Sequence, residues 1–92
     1  MSDNDIFARL AAIVRRTFRL ADEAAISPEM SSLDIDGWDS LSHSILIMEV
    51  EEEFEVSLAL DRVYELSDIG ELASLIRSTL EAKSQNSQSS QI

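Results

Sequence analysis

The sequence predicts an all-α fold: a small four-helix bundle with three longer helices, one short helix and a long first loop. Three observations lead there. Apolar residues recur at helical spacing in three separate stretches. The first two stretches are separated by residues 20–39, which hold the only proline, Pro28, and one of the two glycines, Gly37. The one alternating run is VSL at 56–58, too short for a sheet.

Residues 4–19 place Ile6, Phe7, Leu10, Ile13, Val14 and Phe18 on one broad helical face. Asn4 or Asp3 can cap its start. Arg15, Arg16 and Arg19 sit near its end, where positive charge suits the helix dipole, and read as a solvated face. The loop over 20–39 has apolar anchors expected at Ile26, Met30, Leu33 and Ile35. A connection of that length is more often functional than idle. The second helix spans 40–55, with Asp39 as its N-cap. Leu46, Val50 and Phe54 follow at i, i+4 and i+8 and should face the core. Glu49, Glu51, Glu52, Glu53 and Glu55 crowd its second half. A short helical turn is expected at about 60–65. Asp68 with Glu71 resembles a capping box opening a last helix that bears Ile69, Leu72, Leu75, Ile76 and Leu80. The domain therefore runs over 1–82, and the polar tail 83–92, KSQNSQSSQI, is expected to be disordered.

Composition narrows the function. A chain of 92 residues is one small domain. Without cysteine it has no disulfide or thiolate metal site, and a single histidine cannot build a multi-histidine zinc site. The net charge is -11, which disfavours nucleic acid and anionic lipid and favours basic protein partners. Residues 1–20 carry four arginines and two aspartates, +2; residues 21–92 carry three basic and sixteen acidic side chains, -13. No stretch has the length of a membrane span or the apolar core of a signal peptide, so membrane insertion is not expected and the cytoplasm is the default.

The stretch GWDSLSH, residues 37–43, puts Ser40 at the junction of loop and helix. A calcium loop is one reading. With Gly37 sixth, Ser32, Asp34 and Asp36 fall first, third and fifth, but the twelfth residue is His43 where a glutamate is needed. A Ser40–His43 hydrolase is another, but no elbow motif or separate orienting acid is visible, and His43 reads as an exposed helical residue. The plainest reading is a serine at a helix start, which is ordinary.

The longer run GWDSLSHSILIMEVEEEFEV resembles the attachment region of acyl carrier proteins and related thiolation domains. Their signature is Asp-Ser-Leu at a helix start, then apolar residues, then a Glu-rich stretch ending in Phe. Asp39-Ser40-Leu41 and Glu51-Glu52-Glu53-Phe54 match it in place, and DIGELASLI at 68–76 resembles the last helix of the family. The resemblance spans roughly residues 4–80 and implies a bundle of acyl-carrier type. It implies a stand-alone carrier, not an enzyme, with 4'-phosphopantetheine from coenzyme A attached at Ser40. Asp39 would contact the modifying enzyme, and Asp39 and Leu41 would border the cofactor. The implied partners are a phosphopantetheinyl transferase, an acyl- or aminoacyl-loading ligase, and acyltransferase or condensing enzymes acting on a monomer. The cargo would be a fatty or polyketide acyl group, or an aminoacyl or peptidyl group.

The sequence departs from the family where fatty-acid members often place acids, at the second and fifth positions after the serine. Ser42 and Ile45 stand there. Leu41, Ile45 and Met48 thus form an apolar stripe rimmed by Glu49 and Glu52, expected to dock partner enzymes of a specialised pathway.

Overall fold

The computed structural model of the chain describes residues 2–35 and 37–89. Four helices follow one another: α1 (Asp3–Thr17), α2 (Ser40–Phe54), α3 (Leu60–Val63) and α4 (Ile69–Ser89). The described residues contain no strand. Helix α1 packs against both α2 and α4. The apolar faces meet in one core built on Leu10, Val14, Leu46, Val50, Ile69 and Ile76, all fully buried. Burying one such side chain contributes ~1.5–3 kcal/mol. A surface ion pair contributes about 0–1 kcal/mol. Helical periodicity, which aligns the apolar faces, therefore outweighs the charge pattern in setting the fold.

The caps fix the boundaries. Helix α1 is capped by Ser2, not by Asn4 or Asp3. Ser2 Oγ accepts from the Asp5 amide, and the Asp5 carboxylate accepts from the Ser2 amide, a reciprocal box. Asp3 instead pairs with Arg77 of α4 at 3.2 Å. The helix ends at Thr17, two residues early. Arg19 is left-handed at φ 57°, the Leu20 amide donates to Arg15 O at 2.8 Å, and the Arg19 amide donates to Arg16 O. That is a Schellman ending without its usual glycine. Helix α2 ends the same way: Glu55 has φ 55° and the Val56 amide donates to Glu51 O.

Two arginines of α1, Arg9 and Arg16, reach across to α2, so Arg16 is more than part of a solvated face. Arg9 meets Glu53 at 2.7 Å and Arg16 meets Glu49 at 3.0 Å. Glu51 accepts from the Leu58 amide at 2.8 Å. Three of the five crowded glutamates therefore have intramolecular partners.

The long loop is tied to both neighbours. Arg15 Nε donates to Ala24 O, and the Ile69 and Gly70 amides at the start of α4 donate to Met30 O and Pro28 O. Ile35 is buried, and Ile26 and Met30 pack on the core, as the apolar pattern predicts. Leu33 does not: it is exposed. The hydrogen-bonded turn at 31–34 holds it away from the core. Helix α4 continues past residue 82, so the segment expected to be disordered is helical over 83–89. Extending a formed helix costs far less than starting one, and the Lys83 ammonium donates to Glu55 O at the end of α2. Residues 90–92 of that tail, and Asp36, lie outside the described residues.

Gly37 has φ +86°, and a Cβ placed there would meet nothing within 4 Å. Only backbone strain opposes substitution. Gly37→Ala should cost about 1–2 kcal/mol, and Gly37→Asn less, because Asn tolerates positive φ. Urea unfolding of both variants checks the order; equal losses would point to a different cause.

Candidate functional site at the start of the second helix

Asp39 is extended, with φ -107° and ψ -171°, and its Oδ1 accepts from the Ser42 amide at 2.9 Å. The His43 amide donates to Asp39 O at 2.8 Å, the first rung of α2. Ser40 is therefore the first helical residue. It is exposed, and its hydroxyl has no hydrogen-bond partner among the described residues. Hydrogen bonds into Asp39, from the Ser42 amide first and the Ser42 hydroxyl second, hold the carboxyl below the ordinary aspartate range.

His43 is half-buried, not an exposed helical residue. Its Nδ1 accepts from Trp38 Nε1 at 3.1 Å, and its Nε2 lies 2.8 Å from Val63 O. An indole N–H only donates and a carbonyl only accepts, so both contacts demand the same neutral tautomer, with the proton on Nε2. Neither nitrogen is left for Ser40, so the pair cannot work as nucleophile and base. The ring instead joins a row of aromatic contacts. Phe18 lies 5.2 Å from Trp38, Trp38 6.1 Å from His43, and His43 6.0 Å from Tyr64. The row connects the end of α1, the loop, α2 and the end of α3. The Trp38 bond to His43 depends on the bend at Gly37, where φ is +86°.

Beside Ser40 lies a cleft of about 300 Å³ lined by Ser32, Trp38, Asp39, His43, Tyr64 and Asp68, among others. Leu41 is 72 % exposed, Ile45 43 % and Met48 60 %, while Leu46 and Val50 are buried on the opposite side of the helix. The stripe thus faces solvent. Of the two rim acids, Glu52 is exposed, whereas Glu49 is held by Arg16 and by Thr17 Oγ1 at 2.9 Å.

A family profile described as the phosphopantetheine attachment site matches residues 8–76. The chain belongs to the phosphopantetheine-attachment family. This family consists of covalent carriers rather than catalysts, and its cofactor is covalently bound 4'-phosphopantetheine. Two acyl carrier proteins of Brassica napus, both described as chloroplastic, are 29 % and 28 % identical over 75 residues. Those alignments cover 82 % of the chain but only 55 % of each relative, so the chain spans about half their length. The solution structure of a holo acyl carrier protein from Geobacter metallireducens superposes with a TM-score of 0.77 at 35 % identity. It covers 86 % of this chain and 90 % of that one. A putative acyl carrier protein from Mycobacterium tuberculosis shares the fold at a TM-score of 0.71 and 22 % identity, covering 79 % and 96 %.

The residues present fit the family's cofactor. Ser40 offers an unpartnered, exposed hydroxyl at the positive end of a 15-residue helix, where a phosphodiester is favoured. The cleft beside it leaves room for a flexible arm.

The depressed Asp39 carboxyl has a pH consequence. Its folded value lies below its unfolded one, so its contribution is present above the ordinary aspartate value and fades as pH falls toward the folded value. Asp39→Asn should flatten that acid limb of the stability curve while leaving helix content at neutral pH unchanged. Melts from neutral to strongly acid pH read this, and parallel curves for the two proteins would refute it.

Proposed function

We propose that the protein is a carrier that holds an acyl intermediate as a thioester on 4'-phosphopantetheine attached at Ser40, in a specialised lipid or polyketide-type pathway. The observation that supports this most is the free Ser40 hydroxyl at the first turn of α2, in an Asp-Ser-Leu run beside an open cleft. In the attachment step Ser40 Oγ forms a bond to the pantetheine-bearing phosphorus of coenzyme A. The phosphoanhydride bond breaks, adenosine 3',5'-bisphosphate leaves, and the serine proton passes to solvent or an enzyme base. The arm then supplies a thiol to a chain that has no cysteine. Residues 1–82 are the carrier unit in this reading. Asp39 and Leu41 flank the serine for the phosphopantetheinyl transferase. Leu41, Ile45 and Met48, with Glu52 open and Glu49 drawn toward Arg16, form the face for loading and condensing enzymes.

Treatment with coenzyme A and a broad-specificity phosphopantetheinyl transferase should add one phosphopantetheine to the wild type and none to Ser40→Ala. Intact mass decides, and a modified alanine variant would falsify the assignment. The mass carried on Ser40 in the native cell then identifies the cargo, acyl or aminoacyl.

Ile45→Glu tests the docking face. Ile45 is 43 % exposed, so the variant should melt close to wild type while loading by the cognate enzyme slows. A strongly lowered melt would instead mean that the side chain is needed in the core.

A further inference from the structure

Leu33 is the most exposed large apolar residue described, at 95 %. A leucine on a slack loop would mean little. This one stands on a turn closed by its own hydrogen bonds. The Asp34 carboxylate accepts from the Ser31 amide at 2.9 Å, Ser31 Oγ accepts from the Leu33 amide at 3.2 Å, and the Asp34 amide donates to Ser31 O at 2.9 Å. The flanks are anchored as well: Met30 O accepts from α4, and Ile35 is buried. The turn therefore holds the side chain in water at little further entropic cost to whatever covers it.

Its neighbour Ser32 lines the cleft beside Ser40, as do Ser40 itself and Tyr64, which is 62 % exposed. Leu41 follows Ser40 directly. Exposed apolar side chains thus stand on three elements at or next to the cleft lining: Leu33 beside Ser32 on the loop, Leu41 beside Ser40 on α2, and Tyr64 at the end of α3. The charge on the loop side is acidic, while Arg62 stands on α3 near Tyr64. No lysine or arginine occurs between Arg19 and Arg62, while Glu29, Asp34 and Asp39 stand on the loop, and Asp68 lines the cleft.

We infer that Leu33 is a second anchor, off the helix, for the phosphopantetheinyl transferase, which meets it with an apolar socket bordered by basic side chains. This rests on the carrier reading of Ser40. The transferase is the occupant because it must bring its reacting centre to Ser40 Oγ itself and so covers the cleft rim. Enzymes that act later reach the thiol at the far end of an arm. Desolvating a fixed leucine in a socket supplies affinity, and the acids around it speed encounter and bar acidic surfaces.

The test measures modification of the full chain by a broad-specificity transferase with coenzyme A, following intact mass over time. Leu33→Ser should raise KM about tenfold or more, with kcat within about twofold and an unchanged melt. Leu33→Met should behave as wild type. Leu33→Lys should be worse than Leu33→Ser, and added salt should narrow that gap. Wild-type kinetics for Leu33→Ser, or a fall in kcat alone, overturns the anchor while leaving Ser40 as the site. Equal losses for Lys and Ser overturn the basic border. A wild-type chain that gains no mass removes the carrier reading, and the anchor with it.

Discussion

The 2.9 Å hydrogen bond from the Ser42 amide to the Asp39 carboxylate decides where α2 begins, and with it where Ser40 stands. Shifting the start by one residue would rotate the serine by about 100° around the helix axis. The bend at Gly37 delivers the chain to that cap, and Trp38 leaves the bend aimed at His43. Capping, usually a matter of helix stability, is here what sets the place of the Ser40 hydroxyl.

The remaining architecture keeps that start in place. The loop is long but not slack. Arg15 of α1 holds Ala24, and the first amides of α4 hold Pro28 and Met30. On the other side, the imidazole of His43 bridges the loop indole to the last carbonyl of α3. The short helix α3 has no side-chain cap and only four residues, so it draws much of its placement from this link and from buried Val63. Core burial sets the bundle; a few polar ties set the geometry at its open end.

The bundle was legible because periodicity is a local signal. Most of the buried residues of α1, α2 and α4 follow from spacing, though Ala11 and Ile47 are buried outside the predicted sets and Phe7, Phe18 and Leu80 only partly buried within them. The Asp39 and Asp68 caps follow from residue type, and Glu71 accepts from the Ser67 amide, one residue before its expected partner. What was not legible depended on partners distant in sequence or on unusual conformations. The ion pairs of Arg9 and Arg16 join residues 44 and 33 positions apart. Arg19 and Glu55 end helices in a conformation that glycine usually signals. Leu33 looked like an anchor because leucine usually is one, and only the closed turn shows it facing out. His43 looked solvent-facing because its partners come from the loop and from α3. Lone Ser40 was ambiguous among a cap, a nucleophile and an attachment point. Its place next to the cap is geometric, while the proposal of an attachment point rests on the longer run, which lies within the stretch that matches the family.

Trp38 is the only tryptophan in the chain and Tyr64 the only tyrosine, and both line the cleft beside Ser40. The indole N–H is committed to His43, and its ring lies against Phe18. Tryptophan and tyrosine emission therefore both originate from the lining of that cleft. The chain has an optical probe of its own beside Ser40, and a change in what lies in that cleft alters the surroundings of its tryptophan and its tyrosine alike.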